Sequence, residues 1–497
     1  MIPVSYPASL SRRTANLARF VYADLSTTDP ISEAQATSAD DKSIDTRVEL
    51  KEMLHLGWPI VLTQLFIMLT GTIDTLMAGR YSSVDLAGVS LGGMFMWPAF
   101  LFLTGFTMAL TPIISQLRGA DRFQDIGHQI RQGLWICAFT STALVIWMVN
   151  AGQIYSVIGV DPEAARIADE YLTAAAFGVP PIIFYVALRN ICEGLGRPRP
   201  PMVIAGGIIP VNAVLNYGFI YGKFGLPELG GVGCGYATAI IFWIQLGLML
   251  LVCRRDFFRE IGAFKAFEWL HWQTVRSILW IGVPIGVTIF VEMAVFSVVG
   301  LMITRLGVAD VAANAIAGNI NWATYVIPAA IGHAASIRVG FHVGATNYLA
   351  ARSASAIIYK FSIIYALVIG VVLIAARYML VGLFTTDTEV LEIAATLLIF
   401  IAVYQLFDDT NAVAIGALRG YKDTRFPMVF GLVGYWLFAL PLGYALAEGM
   451  ILPGVAPGVY GYWAALTAGL GVVATAMAIR LWLLSGDDGK ISKLAAT

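Results

Sequence analysis

Apolar stretches long enough to cross a bilayer occupy most of this chain, and no other feature constrains its fold as strongly. A helix of roughly 20 apolar residues spans the hydrocarbon core, and only helices or closed barrels satisfy their backbone groups in lipid. We count twelve such stretches, centred near residues 65, 99, 139, 175, 210, 242, 290, 324, 365, 403, 436 and 471. The predicted fold is therefore an all-α integral membrane protein with twelve transmembrane helices.

The composition agrees with this fold and excludes most soluble classes. The chain is 58% hydrophobic and 13% charged, with a mean hydropathy of +0.76, far from a soluble globular domain. Its net charge of -1 creates no field that would attract nucleic acid. The four cysteines lie within or at the ends of apolar stretches, without metal-ligand spacing. We therefore expect buried thiols rather than a metal centre.

Polar segments frame and divide the apolar region. Residues 1–48 are mostly polar and rich in Ser, Thr and Asp, so they predict a disordered cytoplasmic tail rather than a signal peptide. A six-helix N-terminal lobe follows at 49–256, and a cytoplasmic linker at 257–274. A six-helix C-terminal lobe is predicted at 275–485, and a cytoplasmic C-terminal tail at 486–497.

Basic residues alternate between the two sides of the predicted membrane. With the N-terminus inside, the connections after spans 2, 4, 6, 8 and 10 hold seventeen Lys and Arg residues. The opposite connections hold five, namely Arg80, Arg166, Lys223, Arg305 and Arg377. Cytoplasmic loops of membrane proteins carry the excess of positive charge. Both termini are therefore predicted to be cytoplasmic.

The two lobes are copies of each other in sequence. Residue pairs at an offset of 225 include Gly57 with Gly282, Pro59 with Pro284, Thr63 with Thr288, Trp97 with Trp322 and Gly119 with Gly344. After a slip of one residue, the tripeptide Pro-Met-Val at 201–203 matches the one at 427–429. Six spans in each copy make the repeat parallel, with a pseudo-twofold axis along the membrane normal and a site between the lobes.

Acidic residues in spans 7 and 10 predict a polar site in the C-terminal lobe. A charged side chain at the centre of a span costs about 2.5–3.5 kcal/mol on insertion scales, so such residues mark ion or substrate pathways. Span 7 carries Glu292, and no basic residue within a span is placed to neutralise it. Span 10 carries Tyr404 and Asp408, one turn apart on one face. These oxygens suit a hard cation or a proton.

Four further residues complete the set of candidates. Asp409 lies about 100° further round the helix than Asp408, so it either joins the cation site or makes an interhelical hydrogen bond. In the N-terminal lobe, span 1 carries Asp74 and span 5 carries Asn212 and Asn216. We expect these three to face one another, although Asp74 could instead cap backbone groups and the asparagines could be packing contacts.

Several segments resemble the multidrug and toxic compound extrusion (MATE) family, in particular its bacterial NorM branch. They are Pro59 to Gly79, Tyr221 to Gly235, Ser336 to Gly340, Tyr404 to Asp408 and Leu418 to Asp423. The likeness covers about residues 50 to 485. The long N-terminal tail and the second acid, Asp409, depart from the family pattern.

The resemblance implies a multi-pass antiporter of the bacterial inner membrane that expels small cationic drugs and dyes in exchange for Na+ or H+. It implies that Glu292, Asp408 and Tyr404 bind the coupling cation, which is Na+ if transport is sodium-coupled. Asp74, Asn212 and Asn216 match an N-lobe site tied to proton coupling. No catalytic residue, no cofactor beyond the coupling ion and no nucleic-acid partner are implied, and we expect a monomer surrounded by lipid.

Three other functions fit the sequence less well. An exporter of an endogenous metabolite or a lipid-linked precursor remains an alternative, but a precursor exporter would favour a basic cavity, and no Lys or Arg lies at the middle of a span. A membrane-embedded isoprenoid transferase would need paired Asp-rich motifs, and Asp408-Asp409 is a single doublet. A channel does not account for acids that differ between two duplicated lobes.

Overall fold

The computed structural model describes residues 46–153, 155, 161–254, 256–451 and 457–496. These residues form helices and short connections, and they contain no strand. The predicted N-terminal tail therefore lies outside the described residues except for its last three positions, which begin the first span.

The twelve predicted spans are confirmed as helices. Within the described ranges, eleven single helices are long and apolar enough to cross a membrane, and one bent pair makes the twelfth. In chain order, spans 1 to 12 are Thr46–Tyr81, Ser83–Gly119, Phe123–Val149, Pro162–Ala176 with Val179–Gly194, Arg199–Tyr221, Val232–Cys253, Trp272–Ile303, Val308–Gly344, Tyr348–Ala375, Thr388–Gly420, Arg425–Ala447 and Val459–Ser485. All four cysteines are buried free thiols, as expected.

Short helices also lie between or after the spans, and those that the structure describes from end to end are Asp256–Glu260, Arg377–Gly382 and Asp488–Ala495. The first begins the predicted linker, which ends where span 7 starts at Trp272, three residues before the predicted lobe boundary. The third occupies the predicted C-terminal tail, where the Asp487 carboxylate caps the helix by accepting a hydrogen bond from the Lys490 amide. The C-terminal tail is therefore ordered and helical over most of its length.

Two spans depart from a continuous α-helix. Span 4 bends by 54° between Ala176 and Val179, at a Gly-Val-Pro-Pro sequence whose prolines cannot donate backbone hydrogen bonds. Span 11 contains a π-helical segment, Val433–Ala439, immediately before Pro441. Such wide turns are rare and frequent at functional sites.

The sequence repeat recurs in local geometry. In span 1 the Thr63 hydroxyl donates a 2.8 Å hydrogen bond to the Pro59 carbonyl, and in span 7 the Thr288 hydroxyl does the same to Pro284. The connections after spans 2 and 8 likewise contain matching left-handed residues, Asp121 (φ 53°) and Thr346 (φ 56°). The two halves, spans 1–6 and spans 7–12, thus share one framework down to single hydrogen bonds.

The two halves pack closely where the last turns of span 2 and span 8 cross, just before the connections 119–123 and 344–348. We call this end of the molecule the basic side, because these connections belong to the basic set of the sequence. A Cβ atom on Gly119 would collide with the Phe341 carbonyl, and one on Gly344 would collide with the Gln116 carbonyl. The pairs 119/344 and 116/341 are repeat equivalents, so the crossing is reciprocal, like that of a twofold interface.

The first spans of the two halves are exchanged at the basic side. In span 1, Met53 packs in a core with spans 8, 9, 10 and 12, and Leu56 and Ile60 pack against span 8. Their repeat equivalents in span 7, Ile278, Ile281 and Ile285, pack in the core of the N-terminal half. The first part of span 1 therefore packs on the predicted C-terminal lobe (275–485), and the first part of span 7 packs on the predicted N-terminal lobe (49–256).

Candidate functional site

The C-terminal half brings Glu292, Tyr404 and Asp408 into one polar cluster, as predicted. The Tyr404 hydroxyl and the two carboxylates lie within electrostatic range of one another. Tyr404 is 1% exposed and Asp408 9%, whereas Glu292 is half-buried. Neither carboxylate forms a salt bridge within the described part of the chain. The cluster thus has negative charge and phenol oxygens available to a cation.

Aromatic side chains hold this cluster in place. The Tyr404 ring meets the rings of Phe296 and Trp463 edge-on, at centroid distances of 6.2 and 5.8 Å. The Trp436 indole donates a 3.2 Å hydrogen bond to the carbonyl of Val291, next to Glu292. This bond ties span 11 to span 7 at the level of the carboxylate. The cluster is thereby connected to spans 7, 11 and 12 through aromatic contacts.

Two tyrosines that sequence reasoning missed also belong to the cluster. Tyr435, in the π-helical segment of span 11, lies within interaction range of Tyr404, Glu292 and Asp408. Tyr325 of span 8 lies within range of both acids. An aromatic residue in an apolar span is usually packing, so nothing in the local sequence marks these two. The site therefore draws on spans 7, 8, 10 and 11.

One basic residue in a span lies near the cluster without pairing with Glu292. The sequence placed no basic residue where it could neutralise Glu292, but Arg419, in the last turn of span 10, lies within electrostatic range of it. The pair is not close enough to form a salt bridge among the described residues. Arg419 therefore weakens the local negative potential without occupying the carboxylate.

Asp409 follows Asp408 on span 10 and lies within electrostatic range of the cluster residue Tyr325. It is 0% exposed, and neither of its carboxylate oxygens has a hydrogen-bond partner among the described residues. It lies within electrostatic range of Tyr365 in span 9. One turn earlier, the Gln405 amide donates hydrogen bonds to Asn321 and Thr324 of span 8. Span 10 thus carries two polar faces, and the interhelical hydrogen bond considered for Asp409 is not formed.

The N-terminal half brings Asp74, Asn212 and Asn216 together. The side-chain amides of Asn212 and Asn216 donate hydrogen bonds of 2.8 and 2.6 Å to the same oxygen of Asp74, Oδ1. Both asparagines are fully buried, and their own carbonyl oxygens have no partner among the described residues. Orphaned buried acceptors are costly unless a proton donor, a cation or water reaches them. The predicted grouping is present, and its oxygens are incompletely satisfied.

Oxygen atoms are the polar acceptors at both sites. The described residues hold no group of three or more His, Cys, Asp and Glu side chains that could bind a metal ion. Each half instead offers one or two carboxylates with neutral oxygens, the ligands that hard cations prefer. Because Glu292 and Asp74 lie in different halves, the molecule contains two sites rather than one.

Comparison with known proteins places the chain in a family. The family model described as MatE matches residues 59–218 and 284–445. The two matched segments begin 225 residues apart, which is the offset of the sequence repeat. The chain therefore contains this family's domain twice.

Individual relatives agree with the family model. The probable multidrug resistance protein NorM of Idiomarina loihiensis is 36% identical over 435 residues, which are 87% of this chain and 94% of that protein. The multidrug resistance protein MdtK of Edwardsiella ictaluri is 38% identical over 452 residues, covering 90% and 98% of the two chains.

Solved structures share the fold at lower sequence identity. The eukaryotic MATE transporter AtDTX14 has a TM-score of 0.81 at 20% identity, covering 92% of this chain and 99% of that one. A mutant of the Vibrio cholerae MATE transporter VcmN has the same TM-score at 16% identity, covering 91% and 99%. With the repeated family domain and two relatives above 30% identity, these matches show that the chain belongs to the MatE family of MATE transporters.

Proposed function

We propose that this protein is a secondary active multidrug antiporter, which exports cationic organic compounds in exchange for Na+ or H+. The observation that carries the proposal is the cluster of Glu292, Asp408 and Tyr404, whose two carboxylates have no salt-bridge partner among the described residues. Acids at such positions in a span are expensive and mark ion or substrate pathways. The names of the relatives, multidrug resistance proteins, support the substrate class.

In this proposal the coupling cation binds at Glu292, Asp408 and Tyr404. A bound Na+ or proton offsets the negative charge of the two carboxylates, and the phenol oxygen supplies a neutral ligand. Tyr435 and Tyr325 surround the same acids and exclude competing water. Asp409 is a second acid that lies within electrostatic range of the cluster residue Tyr325 of span 8 and of Tyr365 of span 9, and it adds negative charge beside the ion site.

The N-terminal site serves as a separate proton or substrate site. The two asparagines hold Asp74 by one oxygen, which orients the other oxygen toward any incoming proton or cation. Coupling then needs no shared pocket. Ion and drug need only favour opposite arrangements of the two halves, and each thereby displaces the other.

The proposed setting is the inner membrane of a bacterium, with a monomer crossing it twelve times and both termini in the cytoplasm. The basic side of the structure then faces the cytoplasm, in keeping with the excess of positive charge in its connections. Because the halves pack closely at that side, the structure corresponds to a state closed to the cytoplasm.

Transport by purified protein in liposomes tests this proposal. Proteoliposomes that contain ethidium are given an Na+ gradient at constant pH and then, separately, a pH gradient without Na+. We expect at least one gradient to drive ethidium across the membrane, and protein-free liposomes serve as the control. If neither gradient drives ethidium or a second organic cation, the proposed antiport is wrong.

A further inference from the structure

A buried charge cluster joins the two halves at the basic side, and neither proposed site uses it. It consists of Glu49, in the first turn of span 1, with Arg338 and His342, in the last turns of span 8. The three side chains are 2%, 6% and 9% exposed. Arg338 lies inside span 8 rather than in the connection that follows it.

Arg338 and Glu49 form a short, bidentate ion pair in this cluster. Arg338 donates to both oxygens of Glu49, from Nε at 2.9 Å and from Nη2 at 2.5 Å. The Nε2 atom of His342 lies 3.3 Å from the same carboxylate. Paired hydrogen bonds of this kind fix the relative orientation of two groups as well as attracting them. Span 1 is thereby held against span 8 at one defined register.

The cluster is present in only one copy of the repeat. At the offset of 225, Glu49 corresponds to Thr274, and Arg338 and His342 correspond to Ile113 and Leu117. The surrounding apolar framework is nevertheless shared, because Met53 and Leu56 have Ile278 and Ile281 as equivalents. The charges are thus an addition to a duplicated scaffold, as the acids of the two candidate sites are.

We propose that Glu49, Arg338 and His342 form a latch that holds the basic side closed and separates when this side opens. The proposal rests on the proposed alternation of the two halves. A buried ion pair gains little over an apolar contact when closed, and its separated charges are hydrated once water enters. The pair therefore fixes the closed register and can still part, whereas the apolar contacts at Met53 and Leu56 have no such compensation in water.

Distances between the halves test the latch directly. Spin labels at Gln124→Cys in span 3 and Leu349→Cys in span 9 occupy repeat-equivalent, exposed positions at the basic side. The native cysteines are buried and do not compete for the label. Pulsed dipolar spectroscopy in nanodiscs, without drug or ion gradient, then reports the fractions with the basic side closed and open.

We expect Glu49→Gln to raise the open fraction about threefold or more, and Arg338→Gln to do the same. The double variant should add little to either single change, because both remove one shared contact. Glu52→Gln, which removes a carboxylate three residues further along span 1, is the matched control and should leave the distances as in the wild type. If Glu49→Gln proves too unstable, Glu49→Asp, which keeps the charge but shortens the reach, should raise the open fraction less.

Two outcomes would overturn the latch. One is a distance distribution in Glu49→Gln that matches Glu52→Gln, which would make the cluster a fixed anchor of span 1 on the C-terminal half. The other is an open fraction in the double variant that equals the additive sum of the two single changes, which would mean that the residues act separately. The spin-label experiment measures distances and not transport. A negative result for drug export therefore does not contradict the latch, and a negative result for the latch does not contradict antiport.

Discussion

Asp74 binds both of its amide donors through one carboxylate oxygen, and this asymmetry matters for what the residue can do. The second oxygen is then available to a proton or cation without loss of either hydrogen bond. Glu292 and Asp408 also have oxygens available to a proton or cation, but their polar neighbours are tyrosines rather than amides. In both halves the carboxylates are oriented but not neutralised.

At the residue scale, the first prediction concerns Glu292 and Asp408. Glu292→Gln and Asp408→Asn each keep the side-chain shape but remove one negative charge from the cluster. We expect ion-driven ethidium efflux to fall about tenfold or more, as the loss of about 1.4 kcal/mol of cation binding would produce. The proteoliposome assay measures the fall. Glu392→Gln, at an exposed position of span 10, is the control, and wild-type efflux in both site variants would remove the cation-site assignment.

Asp409 leads to a contrasting prediction. Its two oxygens are buried without partners, so Asp409→Asn replaces a costly group with one that brings its own donor. We expect the melting temperature in detergent to stay level or rise by a few degrees, since a satisfied buried polar group is worth about 1 kcal/mol. Ion-driven efflux should persist. Loss of efflux as complete as in Asp408→Asn would instead place Asp409 in the ion site.

The acids and asparagines could be predicted because polar residues are conspicuous in apolar spans, whereas the tyrosines that surround them could not. Tyr325 and Tyr435 are amphipathic and fit a lipid-facing, packed or site-lining position equally well. Only the three-dimensional arrangement of spans 8 and 11 separates these possibilities. Arg419 was missed for a related reason, because its position near the end of a span gives no hint of its reach toward Glu292.

At the scale of single elements, length and hydropathy were enough to place all twelve spans, because the bilayer sets one length for every helix. The irregular turns were harder. The bend in span 4 has a sequence mark in Gly178, Pro180 and Pro181. No residue pattern predicts the π-helical segment of span 11, apart from the proline that follows it. Within this segment Trp436 is hydrogen-bonded to span 7, a contact that only the folded structure reveals.

The linker between the halves is an element with its own polar anchor on span 3. Arg131 donates a 2.5 Å hydrogen bond to Glu268, and the His128 ring lies 2.7 Å from the same carboxylate. The Gln132 amide donates to the Trp269 carbonyl, and its oxygen accepts from the His271 amide. These bonds satisfy linker backbone groups at the membrane surface. The linker is therefore docked on the N-terminal half rather than loose.

This docking gives a pH-dependent prediction. The hydrogen bond from Arg131 lowers the pKa of Glu268 to about 2, from an ordinary value of 4.5. A lowered pKa means that the ionised form stabilises the fold, so its contribution is present above about pH 4.5 and is lost as the pH falls toward 2. Because Glu268 is partly exposed, we expect Glu268→Gln to cost about 1 kcal/mol at pH 7.

Thermal unfolding in detergent checks this expectation at several pH values. The difference between wild type and Glu268→Gln should be largest near pH 7, should begin to fall below about pH 4.5, and should approach zero only near pH 2. Glu260→Gln, at an exposed position of the preceding short helix, should behave as wild type throughout. A difference that is constant with pH would mean that packing of the side chain, not its charge, stabilises the linker.

At the scale of the whole molecule, the repeat was predictable but the exchange of first spans was not. Matching residues at one offset show that two units share a fold, and the shared Thr63 and Thr288 hydrogen bonds confirm it. Sequence similarity does not say which core a span enters, because Met53 and Ile278 are apolar and would suit either half. Their positions depend on how the halves meet.

The reciprocal crossing of spans 2 and 8 leads to the last prediction. Gly344 lets span 8 approach the Gln116 carbonyl more closely than any side chain would allow, and Gly119 does the same toward Phe341. Gly344→Ala should therefore force the spans apart at the basic side and favour the open state, as should Gly119→Ala. Gly318→Ala is the control on span 8, where an added Cβ meets nothing within 4 Å.

The spin-label pair at Gln124→Cys and Leu349→Cys measures the effect. We expect the open fraction to rise in Gly344→Ala and Gly119→Ala by a similar factor, because the crossing is symmetric, and to stay unchanged in Gly318→Ala. The latch variants should show no such symmetry, since Ile113 and Leu117 stand where a second charge cluster would be. A closed fraction in Gly344→Ala equal to that of the control would mean that the crossing tolerates separation, and that closure of the basic side depends on Glu49 and Arg338 instead.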